Sequence, residues 1–448
     1  ISCSIHSTEI VAAQMSMQLA YELATAQDQE TREILQNTIL LLIPSPNPDG
    51  IDIVADWYRK TLGTPNEGRE PPELYHHYAG HDDNRDWFML NLKETQLITR
   101  LLWHDWFPQI VYDVHQQGSN GSRYFIPPFY DPPNPNIDPI LLRQVGLVGH
   151  KVAADLQASG FKGVLTNALY DTWWHGGFRT APYFHNSIGI LSEAASAKLM
   201  SPATVTREQL ARSSTRGMRN AIEATTNFPD PWTAGTWRPR NIMDMELIAS
   251  RSILSLAAKY RENYLRNFFE LNRKSIEEPI PANQPIAYLM PAGLSRDEAL
   301  AKLVGTLIEQ GVEVYRLDSE LHVSYGPQIL QRTNAAADKR GIYKTVITSG
   351  SSMHEVPAGS YIVFLAQPQR RNVLALFEPQ TYPNRLTPSG EAERPYDVAG
   401  WTLPMQLGVD APAVLAIREP DSERKLMLLT DGNEVRADMA LPLKKSDE

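Results

Sequence analysis

The chain has 448 residues, a formal net charge of −10, 42% hydrophobic and 21% charged residues, enough for two or three domains and typical of a globular protein. No basic block accompanies the acidic balance, which argues against a nucleic-acid surface, and no apolar run reaches the roughly 18 residues that a membrane-spanning helix needs. A single cysteine, Cys3, excludes an intrachain disulfide and reads as a packed small hydrophobe.

In chain order, a short apolar strand leads into His6-Ser7-Thr8-Glu9. His6 and Glu9 stand one helical turn apart, so an imidazole and a carboxylate can address one cation, and both are ordinary zinc ligands. The plain alternative is a helix start with Ser7 or Thr8 as its N-cap. A helix is expected over residues 10–26 and a strand over 39–43, followed by the turn signal Asn47-Pro48-Asp49-Gly50. Trp57-Tyr58-Arg59-Lys60 and Gly80-His81-Asp82-Asp83-Asn84-Arg85-Asp86-Trp87 each bring a guanidinium, the group suited to carboxylates and oxyanions, among aromatic residues. Residues 92–103 read as a helix. A β-rich run over 110–114 then delivers His115 to a strand–loop junction, where open α/β sheets bind ligands.

Residues 127–139 form a Pro-rich loop, with Tyr124, Tyr130 and Trp173 as candidate rim aromatics, and 141–157 a helix. The apolar strand 187–192 ends in Glu193, either a structural ion pair or a general base. A helix over 207–226 is expected to close the first unit, with a boundary at Phe228-Pro229-Asp230-Pro231. Helices over 243–272 would bridge to a second boundary at 279–285. Beyond it, strand 286–290, helix 295–310 and strand 312–317 suggest a βαβ-like unit, followed by short strands that include 360–365 and 413–417. The expected fold class is α/β: a mixed, largely parallel central sheet flanked by helices, then a smaller α/β to β-rich accessory domain. The expected division is a catalytic domain over 1–228, a helical linker over 229–282 and the accessory domain over 283–448.

Taken together, H-S-T-E, N-P-D-G, W-Y-R-K, G-H-D-D-N-R-D-W, the strand-end His115 and the later strand-end Glu193 resemble the zinc metallocarboxypeptidases of the carboxypeptidase A family. They follow that family's order over roughly the first half of the chain. The segment Pro395-Tyr396-Asp397-Val398-Ala399-Gly400-Trp401-Thr402-Leu403-Pro404 is similar to segments that follow the peptidase domain in large bacterial members.

The resemblance implies one Zn2+ ion held by His6, Glu9 and His115, with Glu193 as general base and acid. It implies Arg59 at the oxyanion, and Asn84 and Arg85 on the free carboxylate of a peptide or protein C-terminus. It also implies a capping tyrosine, for which Tyr170 stands about two positions displaced when Gly176-Gly177 is aligned. The base of the specificity pocket falls on Phe178, favouring apolar C-terminal side chains, or on Arg179, favouring acidic ones. The strands and helix that precede H-x-x-E in the family are missing, so a fragment of a longer, exported protein is expected. Two other readings keep the same residues: a zinc amidase acting on cell-wall or other modified peptides, and a non-catalytic peptide-binding module.

Overall fold

The computed structural model describes residues 1–281, 284–326, 328–333, 342–347, 353–387, 390–417 and 426–429. Five strands build the first sheet: β1 (Ser2–Cys3), β2 (Ile110–Gln117), β3 (Tyr124–Phe125), β4 (Val164–Leu165) and β5 (Ile188–Ala195), in the order β1-β2-β5-β3-β4. β1, β2 and β5 run parallel, while β3 is antiparallel to β5 and parallel to β4. This is the expected mixed, largely parallel sheet. Every residue of β5 is buried, as a strand covered on both faces requires.

Side chains alternate between the two faces of a strand. Tyr112 and Val114 of β2, with Ile188 and Ile190 of β5, join a core completed by helices Val11–Thr25 and Pro139–Ala158. Val111 packs on the opposite face with Ile5, Trp87 and Phe178. The same period places Asp113 and His115 on that second face, at the C-terminal end of the sheet.

Three expectations are corrected. The run 39–43 is no strand: it meets β1 at one bridge, Ser2 to Ile43, and Ile39 is 77% exposed. Only its end is tied to the sheet: the Ile1 amino group donates to the Leu41 carbonyl, the Ile43 N–H to Ile1, and the Cys3 N–H to Ile43. The helix expected over 207–226 is present as Arg207–Arg212. Beyond it Gly217 has φ +76°, and a Cβ there would lie 2.7 Å from the Asn167 carbonyl oxygen. Asn220 accepts from the N–H groups of Ile222 and Glu223, and Asn227 donates to the Thr166 and Gly217 carbonyls. Such side-chain bonds offer the backbone an alternative to the helix.

The third correction concerns 229–282. Helix Pro239–Lys259 is no linker, because Ile242, Met245, Ala249, Ile253 and Leu256 lie in the same core as the first sheet. Helix Arg261–Glu277 follows, burying Tyr264 and Leu271.

Glu246 on helix Pro239–Lys259 is fully buried, and neither carboxyl oxygen has a hydrogen-bond partner among the described residues. Burial first, then the charge of Glu9, pushes its carboxyl well above the usual range, with His115 opposing. The folded state therefore keeps a proton that the unfolded chain releases. Stability falls as pH rises from the unfolded carboxyl value of about 4.3 toward the folded one. Glu246→Gln removes that dependence. Its Tm is expected to gain on the wild type as pH is raised through this window; a pH-independent gap in paired melts would show that Glu246 folds ionised.

The second sheet has seven strands in the order His354–Val356, Leu321–Gly326, Ala413–Ile417, Ala287–Met290, Tyr361–Phe364, Tyr315–Leu317, Leu426–Leu428. Its neighbouring strands pair antiparallel. Helix Asp297–Glu309 links Ala287–Met290 to Tyr315–Leu317, but Tyr361–Phe364 lies between those two strands. The expected βαβ-like unit is thus split by an antiparallel strand. This sheet is not free-standing: Phe88 and Trp174 of the first unit share a core with Tyr288, Leu303, Leu307 and Phe377.

Candidate active site

β1 ends at a turn that carries both N-terminal site residues. The Glu9 N–H donates to the His6 carbonyl at 2.9 Å. The Ser4 hydroxyl donates to the Glu9 carbonyl at 2.8 Å and accepts from the Ala13 N–H at 3.0 Å, fixing the turn to the start of helix Val11–Thr25. The β1–β2 register, Cys3 opposite Val114, brings His115 alongside.

Glu9 stands between the two imidazoles. Its Oε1 lies 2.9 Å from His6 Nδ1 and its Oε2 lies 2.8 Å from His115 Nδ1. The candidate ligand atoms of His6, Glu9 and His115 all lie within 4.8 Å of one another. The opposite ring nitrogens are held by carboxylates, His6 Nε2 by Asp82 at 3.0 Å and His115 Nε2 by Asp113 at 2.6 Å. Carboxylates behind imidazoles fix ring orientation and raise basicity, the usual support of a metal-binding histidine. Two imidazoles and one carboxylate are also a common catalytic donor set, so the residues fit a zinc ion. Burial lowers the His6 pKa, but Glu9 and Asp82 overcome that and raise it to about 10. His115 is buried, whereas the His6 side chain is 21% exposed, so the cluster opens to solvent on the His6 side.

Glu193 is the register partner of His115 across β2 and β5. Its carboxyl is raised to about 7, by burial first and by Glu9, with His115 opposing. The Tyr170 hydroxyl donates to Glu193 Oε1 at 2.8 Å, and Tyr170 packs against Phe125 and Tyr396.

Arg85 reaches the same rim. Its Nη2 pairs with Asp397 Oδ1 at 2.7 Å, and its Nη1 lies 3.8 Å from Asp82. Arg179, unlike Phe178, turns toward the site, its Nη1 pairing with Asp397 Oδ2 at 2.6 Å. Phe178 stacks on Trp87 at 4.1 Å instead.

Two expected site residues point elsewhere. Asn84 is directed inward: its Oδ1 accepts the Phe178 N–H at 2.8 Å and its Nδ2 lies 3.2 Å from His115 Nε2. It braces the cluster and offers no group to a substrate carboxylate. Arg59 is not brought to the site: its side chain is 74% exposed and pairs with Asp56 at 3.0 Å. N-P-D-G caps helix Pro48–Thr61 through Asn47, and that helix buries Ile53 and Val54, leaving Arg59 on the outward face. Tyr124 lines no rim either, being buried and hydrogen-bonded to Tyr112.

Sequence reasoning missed Asp82, Asp113 and Asp397. Asp113 was legible, two residues before His115 and therefore on the same strand face. Asp82 lies inside a motif already singled out. Asp397 belongs to a segment read as accessory.

The model of the zinc carboxypeptidase family matches residues 1–122. Over that stretch, a little more than a quarter of its length, the chain is similar to zinc carboxypeptidases. It contains His6, Glu9, Asp82, Asn84, Arg85 and His115 and ends before Tyr170, Arg179 and Glu193. No curated protein matches the chain. Among solved structures it is similar to a metallo-carboxypeptidase from Pseudomonas aeruginosa in complex with (2-guanidinoethylmercapto)succinic acid, at 14% identity and a TM-score of 0.37. The likeness covers 58% of this chain and 56% of that one, so this chain spans a little over half of the solved relative's length. Zinc carboxypeptidases carry one zinc ion, and the His6–Glu9–His115 cluster is the candidate site for it here.

His115→Ala is expected to remove most of the bound zinc, and Asp113→Asn to weaken zinc binding by about 10–100-fold. Equilibrium dialysis with metal analysis checks both; full zinc retention by His115→Ala would place the ligand set elsewhere.

Proposed function

We propose that this chain is a zinc-dependent carboxypeptidase that hydrolyses the C-terminal peptide bond of peptides or proteins. The observation that carries the reading is the convergence of two imidazoles and one carboxylate beside Glu193, with Arg85 on the same rim. Bound there, zinc would supply Lewis acidity, making a water acidic near neutral pH and polarising the scissile carbonyl.

The remaining steps belong to the protein. Glu193 accepts the proton from the attacking water and returns it to the leaving amine as the C–N bond breaks. The products are a shortened peptide carboxylate and a free amino acid. A carboxyl raised to about 7 suits both directions of transfer. Tyr170, bonded to Oε1, orients that carboxyl. Arg85 is half-buried, with Nη2 paired to Asp397 and Nη1 donating to the Asn84 carbonyl at 2.9 Å; its exposed side is assigned the substrate's terminal carboxylate. The oxyanion role expected of Arg59 has no support, since that guanidinium faces solvent.

A second reading, amide hydrolysis without need of a free C-terminus, is favoured by one observation: Arg85 and Arg179 already share a carboxylate, that of Asp397. Paired peptides with free and amidated C-termini separate the two. Arg85→Ala is expected to raise KM for the free peptides by about 10-fold or more while leaving amidated ones unaffected. Equal turnover of both forms would move the assignment to the amidase reading. A zinc-loaded protein that cleaves neither form is a binding module.

A further inference from the structure

Asp397 lies 218 residues beyond Arg179, in the region the sequence marks as accessory, yet its carboxylate bridges both guanidiniums at the site. The segment around it is stitched to the strand-flanking loop over 170–179. The Tyr396 N–H donates to Asp171 Oδ2 at 3.0 Å, and the Tyr396 ring packs edge-on against Tyr170 at 4.4 Å. Trp174 Nε1 donates to the Gly400 carbonyl at 2.7 Å, and Arg216 reaches the Arg394 carbonyl. These contacts make the segment a fixed wall of the site.

The charge arrangement has a direct chemical consequence. The Arg179 side chain is 5% exposed and is ringed by Phe129, Tyr170 and Tyr396, whose centroids lie 5.2–5.8 Å from its guanidinium carbon. An unpaired guanidinium in such surroundings would draw an acidic side chain, through charge and through two parallel N–H donors. Asp397 takes that place, and the Asp171 carbonyl accepts from Arg179 Nη2 at 2.9 Å. Arg85 shares the Asp397 carboxylate and donates from Nη1 to the Asn84 carbonyl at 2.9 Å, but its side chain is 28% exposed, so one side of its guanidinium stays open to solvent.

We propose that Asp397 is a specificity-determining residue that neutralises Arg179 at the base of the recognition pocket, so that the pocket takes uncharged C-terminal side chains and turns away acidic ones. This rests on the carboxypeptidase reading and deepens it. Arg85 keeps the role of holding the terminal carboxylate. The rings of Phe129, Tyr170 and Tyr396 stand around Arg179 itself, so an uncharged side chain arriving there would meet apolar neighbours.

The test is kcat/KM on N-acylated dipeptides that differ only in a C-terminal Glu, Gln or Leu, with the zinc-loaded full chain. The wild type is expected to favour Gln and Leu over Glu. Asp397→Asn is expected to raise Glu relative to Gln by roughly tenfold, chiefly through KM, and Asp397→Glu to restore the wild-type order. A folded Asp397→Asn with an unchanged Glu/Gln ratio overturns the proposal. So does an equal fall in KM for all three peptides, which would make Asp397 a competitor for the terminal carboxylate. Should Asp397→Asn melt before assay, a wild-type preference for Glu overturns the proposal without any variant. Absence of hydrolysis of every free peptide is a different result, because it removes the carboxypeptidase reading and this inference with it.

Discussion

Glu193→Gln is expected to leave zinc bound at the wild-type level and to lower kcat on any substrate by about 10²–10⁴-fold. Glu193 neighbours His115 across two parallel strands, but among the described residues the convergent ligand set is His6, Glu9 and His115. Gln has the shape of Glu, and its carbonyl can still accept the Tyr170 hydroxyl that now binds Oε1. What disappears is the site that takes a proton. Stability gives a second readout. The folded carboxyl is raised to about 7, so the wild type loses stability as pH climbs from the unfolded value of about 4.3 through 7. The variant lacks this pH dependence and should melt at or above the wild-type temperature at pH 8. Undiminished turnover with zinc intact would take Glu193 out of the chemistry.

The parts of this site that were legible in the sequence share one trait: their placement follows from local geometry. His6 and Glu9 are joined by a single turn, and His115 follows the plain apolar run of a strand that continues to Gln117. Glu193 terminates another such run, and a parallel register does the rest. Arg59 shows where this kind of reading stops. Its motif fixes neighbours in the chain but not the phase of the helix that carries it, and burial of Ile53 and Val54 sets that phase. Asn84 was placed in the right neighbourhood with the wrong task, because which way an amide points depends on Phe178 and His115, one of them 94 residues away. Asp397 was beyond local reasoning altogether. Nothing in its own segment says that two guanidiniums far upstream will share it. The 229–282 stretch failed for a related reason. An amphipathic helix advertises an apolar face, but the partner for that face is a tertiary fact.

Ending the chain at residue 228 is expected to abolish cooperative folding, rather than to release a smaller active peptidase. Helix Pro239–Lys259 supplies Ile242, Met245, Ile253 and Leu256 to the core beneath the first sheet. Truncating one buried side chain of this size to Ala typically costs about 2–5 kcal/mol, and whole domains are stable by only about 5–15 kcal/mol. Removing four together with their helix exceeds that margin. The loss also reaches the site. Trp237 Nε1 donates to the Ala195 carbonyl at 2.7 Å, two residues after Glu193, and Trp232 and Trp237 cover the fully buried Arg123 guanidinium.

A chain ending at residue 281 keeps that helix but uncovers Phe88 and Trp174 and leaves Arg179 without Asp397. Breaking a buried ion pair by removing one partner costs about 3–5 kcal/mol. The 281 form should therefore fold with a clearly lowered Tm, whereas the 228 form should show no cooperative transition. Circular-dichroism melts of the two, alongside the full chain, decide the matter. A 228 form that melts like the full chain and binds stoichiometric zinc would make the catalytic unit autonomous and reduce the C-terminal region to an appendage.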